Sequence, residues 1–320
     1  MKEIFSKDIV FVSGLTRSGK SLVLPIVASL TNSDKASADF FLEQIPFAVH
    51  IGAIDSEIAL NLIRTGMNLK IYDDFVGRNL NHKNGDFTDI NLYQDPKKYL
   101  LREMKQDNTI ENYCNRQGSF LPFMIHNAIL SSEIWFKSIN NLKIIHTQRS
   151  PVEIVFSWHM KGYGNYNFSG TRSNTLTYSY KSIDLPYYMK GYEKNFIELD
   201  NDVDRIIFFI KVLRDKSKKV YEKSSNKDRI LFVKHSDFLN NPSYPVNKIC
   251  NFLGQSQTLF TKQVLSRENC PRVSSKQTPF ATSSLEKKQK ILQLRQICSE
   301  KSYTTLLEME EEFTNKNNSI

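Results

Sequence analysis

The segment GLTRSGKS, residues 14–21, has the spacing G-x-x-x-x-G-K-[ST]. Such a segment makes an anion cradle. Gly14 and Gly19 let the backbone turn so that successive N–H groups point inward, and the helix that follows adds its positive end. Lys20 supplies a point charge, and Ser21 a hydroxyl within reach of a phosphate oxygen or a metal ion. Arg17, in the middle of the segment, is not something a nucleotide triphosphatase needs. The spacing indicates phosphate chemistry and leaves open which phosphate is held.

A second constellation lies in LKIIHTQRSPVEIVFSWHM, residues 142–160. Arg149 leaves the end of an apolar run, and Ser157 follows eight positions later. A strand-end guanidinium and a hydroxyl in the first turns of a helix can converge on one oxyanion. Arg149 could equally pair with a surface acid.

The elements that must position these residues alternate along the chain. IVFVSG (9–14) reads as a strand and SLVLPIVASL (21–30) as a helix, the context a phosphate loop requires. ADFFLEQIPF (38–47) reads as a short buried strand running into a loop. DSEIALNLIRTG (55–66) has an Asp start and a Gly stop, and LKIYDD (69–74) reads as a weak strand. LKIIHT (142–147) is a strand. Ser150, Pro151 and Glu153 then form a cap, a first helical residue and a capping-box partner. Helices are predicted over 97–114, 203–224 and 245–254, a strand in RILFVKHSDFL (229–239), and a charged helix from 284 that ends in EMEEEF. Residues 75–97 and 161–195 are polar or aromatic excursions, read as substrate-facing surface and as a lid. This order predicts an α/β fold: a P-loop NTPase-like three-layer sandwich with a mostly parallel central sheet, as one domain over 1–320.

With both constellations placed, the chain resembles the sulfotransferases that use 3′-phosphoadenosine 5′-phosphosulfate (PAPS), in their carbohydrate-type branch. RSPVEIVFS is similar to their R-[ND]-P-x-D-x-x-x-S segment, which grips the 3′-phosphate, and GLTRSGKS to their loop for the 5′-phosphosulfate. RILFVKHSDFLNNP…VNKICNFLG resembles their closing strand, E-D-L, Pro, helix and F-L-G. The resemblance implies that Arg17 meets the bridging oxygen and 5′-phosphate. Thr16, Ser18, Gly19, Lys20 and Ser21 would wrap that phosphate, and Arg149 and Ser157 would clamp the 3′-phosphate. Arg272 and Lys276, in NCPRVSSKQTPF (269–280), would close over it, and Trp158 would border the adenine. Adenosine 3′,5′-bisphosphate (PAP) would be the product.

Two positions depart from the pattern. Lys20 stands where Thr or Ser is usual, and Ser236 where the family has Glu. The first keeps open an ATP- and Mg²⁺-dependent small-molecule kinase, with Asp73 and Asp74 as candidate metal-holding acids or as a solvated turn.

Sulfuryl transfer needs a base for the acceptor hydroxyl or amine and positive donors for the leaving oxygen. Arg17 and Lys20 meet the second need without a metal. For the base, Glu43 is expected at the end of the second strand, opening on the loop's edge, with Phe40, Phe41 and Phe47 raising its pKa by desolvation. The competing reading is a surface glutamate at a strand end. His50 is the second candidate. His126, His146 and His235 read as structural, and His159 lies beside the 3′-phosphate clamp.

The formal charge of +9 suits an anionic ligand, or else is spread over solvated surface. No nucleic-acid-reading motif accompanies it. Cys114, Cys250, Cys270 and Cys298 have neither disulfide-framework nor zinc spacing, so reduced buried thiols in a cytoplasm are expected. MKEIFSKDIVFV carries charge too close to its apolar run for a signal peptide, and no apolar run approaches the roughly 20 residues of a membrane span. The expected acceptor is a glycan or small molecule, with neither nucleic acid nor membrane as partner.

Overall fold

The computed structural model describes residue 4, residues 8–104, 119–164, 173, 175–272 and 284–315. The predicted helical stretch 105–114, much of the excursion 161–195 and Lys276 lie outside the described residues, wholly or in part.

β1 (Ile9–Gly14), β2 (Ser37–Ala38), β3 (Leu121–His126), β4 (Leu142–Gln148) and β7 (Ile230–Lys234) form one sheet in the order β2-β3-β1-β4-β7. Every pairing in it is parallel. Along the strands, alternate side chains enter opposite layers. Val10, Val12 and Ile145 pack with α1 (Lys20–Ala28), whereas Ile9, Phe11 and Ile144 pack with α3 (Ser56–Phe75). Burial on both faces explains why these strands read as continuous apolar runs. A third cluster joins α4 (Pro151–His159), α5 (Asp202–Lys223) and the C-terminal helices. The expected α/β sandwich is the observed architecture. No described helix is long and apolar enough to cross a membrane.

Several local expectations change. The stretch 38–47 is not a strand. β2 has two residues, and Glu43 is the N-cap of α2 (Gln44–His50), after a turn in which Asp39 accepts from the N–H groups of Phe41 and Leu42. LKIYDD is not a strand either, because α3 runs unbroken to Phe75 from its Asp55 cap. Gly66 sits inside this helix rather than ending it, since any Cβ there would collide with Leu42. In the excursion 75–97, Ile90 and Tyr93 are buried, and the Tyr93 hydroxyl accepts the Ala36 N–H at 2.9 Å. That segment is anchored beside β2 rather than spread over the surface. The described part of 161–195 contains an antiparallel hairpin, β5 (Thr177–Tyr180) with β6 (Ile183–Pro186). The tail is two helices, Ser284–Ile297 and Glu300–Asn315. They are broken where the Ser299 N–H donates to Asp204 at 2.9 Å.

Candidate active site

In a parallel sheet all strands end on one edge, and ligands bind there. Gly14 faces His126 in the β1–β3 register, and Ser13 faces His146 in the β1–β4 register. The phosphate loop, Glu43, His126 and Arg149 therefore share that edge.

The loop is tightly built. Gly19 has φ 107°, and a Cβ there would lie 2.5 Å from Cδ2 of His235. A Cβ at Gly14 would lie 2.5 Å from Ser18 Oγ and from Thr147 Oγ1. Ser18 Oγ and Thr147 Oγ1 are 2.7 Å apart, and Thr147 donates to the Ser13 carbonyl at 2.9 Å. The Ser18 hydroxyl thus ties the loop to β4 instead of facing a ligand. Ser21 is exposed on the first turn of α1. The Thr16 carbonyl accepts the Trp158 indole N–H at 2.9 Å, so Trp158, 6% exposed, braces the loop from α4.

The two motifs meet here. Arg17, exposed and at φ 68°, donates from Nε to Ser157 Oγ at 2.9 Å. Arg149 donates to the Arg17 carbonyl at 3.1 Å and to Glu153 Oε2 at 2.8 Å. Arg149 therefore has both an acid and the loop as partners. Arg272 is exposed, with its N–H on the Leu239 carbonyl at 2.9 Å. Burial pushes the pKa of His235 down to about 4, with Arg149 and then Arg272 adding to the effect against Glu153. His235 itself packs against Gly19 of the loop.

Lys20 is 4% exposed and turns back under the loop, donating to the carbonyls of Gly14 at 3.1 Å and Leu15 at 2.8 Å. Burial lowers its pKa to about 7, and the carboxylate of Glu43 partly offsets this. Glu43 itself is 2% exposed. It accepts the His126 backbone N–H at 2.6 Å, and its Oε1 lies 3.0 Å from His126 Nδ1. Burial and Lys20 lower the His126 pKa while Glu43 opposes them. The imidazole is therefore neutral at pH 7. A Glu43-held Nδ1–H leaves Nε2 as the acceptor atom. The Phe40 ring lies 5.8 Å from that imidazole, and Phe40 and the next residue, Phe41, are both exposed. Phe47 points elsewhere, stacked on Tyr187 at 3.8 Å.

His50 is not brought to the loop. It occupies the far end of α2 from Glu43, with Nε2 3.3 Å from Lys216 Nζ, and burial with Lys216 lowers its pKa to about 4. His159 sits 3.6 Å from Asp202. Asp73 and Asp74 lie on the last turn of α3. Asp73 is paired with Arg78, and Asp74 with Lys35 at 3.1 Å and Lys70 at 3.3 Å. Neither acid is presented to the loop. Behind the loop, a cavity of about 40 Å³ is lined by Leu15, Ser18, Asn127, His146, Thr147 and Arg214, among others. Asn127 Oδ1 and His146 Nδ1 are buried without a partner among the described residues, and the volume suits one or two waters.

His126, read from the sequence as structural, is brought by β3 to the same edge and bonded to Glu43. The signal was LPFMIH, a short apolar run ending at the same edge as IVFVSG. Pro122 within it weakens its likeness to an interior strand.

The family model described as "Sulfotransferase domain" matches residues 7–314. Comparison with curated protein sequences gives no match. Among solved structures, the chain is similar to the sulfotransferase domain of the Synechococcus PCC 7002 olefin synthase, at 14% identity and TM-score 0.44, covering 99% of this chain and 98% of that one. It is similar to the sulfotransferase domain from the curacin biosynthetic pathway at 9% identity and TM-score 0.46, covering 97% and 99%. A mouse sulfotransferase complexed with PAP matches at 10% identity and TM-score 0.39, covering 98% and 87%.

Proposed function

The chain belongs to the sulfotransferase family, whose sulfuryl donor is PAPS, and we propose that it sulfates a hydroxyl or amine of a small-molecule or glycan acceptor by in-line displacement. One observation carries the assignment of its nucleotide site. Arg17 donates to Ser157, and Arg149 donates to the Arg17 carbonyl, so side chains from segments far apart in sequence meet at the edge of the phosphate loop. This supports a reading in which they serve a second phosphate beside the first, and ATP has no 3′-phosphate to use them.

The residues fit the donor. Gly14 and Gly19 let the loop pack directly against Thr147 and His235, where a Cβ would collide. Arg17, Lys20 and the Thr16–Ser21 backbone would hold the 5′-phosphosulfate, with Arg149, Ser157 and Arg272 on the 3′-phosphate. Bound there, the donor supplies a sulfuryl group whose sulfur accepts the acceptor oxygen or nitrogen as its bond to the phosphate oxygen breaks. Lys20 and Arg17 meet the charge that grows on that oxygen. The base is the Glu43–His126 pair. Glu43, too buried to touch an acceptor, fixes the tautomer and orientation of His126, and Nε2 takes the acceptor's proton. The exposed Phe40 ring beside His126 suits an acceptor with an aromatic body or the apolar face of a sugar.

Titration with PAP and, separately, with ATP plus Mg²⁺, followed by thermal unfolding and calorimetry, tests this. PAP should stabilise the protein strongly and ATP–Mg²⁺ weakly. Stabilisation by ATP–Mg²⁺ with none from PAP overturns the assignment in favour of a kinase.

A further inference from the structure

The EMEEEF segment has no part in the chemistry above, yet it reaches the 3′-phosphate side of the site. Label the two C-terminal helices α7 (Ser284–Ile297) and α8 (Glu300–Asn315), with α6 given to Ser243–Leu253. Glu310 of α8 is 6% exposed. One carboxylate oxygen accepts the Ser150 hydroxyl at 2.6 Å and the Val152 N–H at 3.0 Å. The other pairs with Lys287 of α7. Lys290 of α7 lies 3.9 Å from Glu153, the residue that also holds Arg149. The C-terminal helices therefore grip the first turn of α4 at Ser150, Val152 and Glu153.

Three consequences follow from this contact. The Glu310 carboxylate occupies the positive end of α4, where a phosphate would otherwise be drawn. A 3′-phosphate is left with the side chains of Arg149, Ser157 and Arg272 as its donors. Ser150 adjoins Arg149 in the chain and caps α4, so fixing Ser150 fixes where the guanidinium starts. It also fixes the rotation of the helix that presents Ser157, two turns on.

We propose that Glu310 is a positioning residue for the 3′-phosphate clamp: it acts through Ser150 and the N–H of Val152 to set Arg149 and Ser157, and touches no nucleotide itself. The proposal rests on the assignment of that clamp under Proposed function.

The test compares calorimetric affinities for PAP and for adenosine 5′-monophosphate, which lacks the 3′-phosphate, in the full chain. Wild type should prefer PAP. Glu310→Ala should weaken PAP by tenfold or more and the monophosphate by less than threefold. Glu310→Gln keeps both acceptor contacts and should restore PAP to within threefold of wild type. Where Glu310→Ala does not fold, Ser150→Ala is measured in its place, with the same selective loss expected. Equal losses for both nucleotides, or no loss for either, overturn the positioning role. A wild-type protein that binds both nucleotides alike overturns the clamp assignment and this proposal together.

Discussion

Lys20 offers a measurement that depends on the site and on nothing else in the chain. Its ammonium is buried under the loop, with a pKa of about 7 against an ordinary 10.5. At pH 8 a group of pKa about 7 is about 90% deprotonated. A bound phosphosulfate or phosphate brings negative charge over the loop that surrounds Lys20, which favours the protonated form. The second ionisation of a phosphate monoester is near 6, so PAP has no protons to exchange at pH 8. Binding of PAP at pH 8 should therefore take up about 0.9 protons per site. The uptake is read as the slope of calorimetric enthalpy against buffer ionisation enthalpy. Affinity should fall nearly tenfold between pH 8 and pH 9, the linkage of one proton at about 1.4 kcal/mol per pH unit. Lys20→Met should abolish the uptake and flatten the pH dependence. Uptake near zero in the wild type, or uptake that survives Lys20→Met, refutes the reasoning. Without nucleotide, above pH 7 the unfolded chain holds a proton on Lys20 that the native chain lacks. The contribution of this group to stability is thus least below pH 7 and rises with pH towards 10.5.

Three further outcomes are expected. His126→Ala should lower turnover by about 10²–10⁴-fold with PAP affinity within threefold of wild type, and Glu43→Gln should lower it less; normal turnover in His126→Ala removes the histidine from the base role. Gly19→Ala places a Cβ against His235 at φ 107° and should destabilise by about 1–3 kcal/mol, seen as a lower Tm with weaker PAP binding. Asp34 and Arg102 are a buried pair at 2.7 Å; burial opposes the charge on Asp34, but Arg102 overrides it and holds the carboxyl below its ordinary pKa. Asp34→Ala leaves that guanidinium uncompensated and should lower stability by about 3–5 kcal/mol in urea titration, without changing relative nucleotide affinities.

The parts of the site that were legible are those whose logic is local. GLTRSGKS between a strand and a helix, and Ser150–Pro151–Glu153 at a helix start, carry their structure in consecutive residues. The spacing paired Ser157 with Arg149 on one anion, and the bond of Ser157 to Arg17 was not anticipated. What was not legible depends on contacts between distant segments. Glu43 was found, but its burial and its bonds to His126 come from the way β3 is laid beside β1, and LPFMIH alone does not announce that. LKIYDD alternates well enough for a strand, yet Ile71 and the following Phe75 continue the α3 stripe of Ile63 and Met67, while Leu69 is left exposed. The glycine that suggested a break is instead demanded by Leu42, a neighbour only in the folded chain. Lys20 kept its ambiguity in the sequence because its direction is set by the carbonyls of Gly14 and Leu15.

The sheet order has a bearing on how the molecule is made. β1 leaves the ribosome early, but its two neighbours begin at Leu121 and Leu142, and the last strand of the sheet begins at Ile230. Glu310, which fastens α4, comes later still. At a synthesis rate of about 5–20 residues per second, the phosphate loop waits on the order of 15–60 s for its full set of partners. Until β4 has been made, on the order of 7–27 s after β1 at that rate, β1 lacks a partner on at least one side, the condition in which nascent chains aggregate or engage chaperones. Nucleotide affinity should therefore appear only after Glu310 has been joined, well after the first phosphate-binding residues.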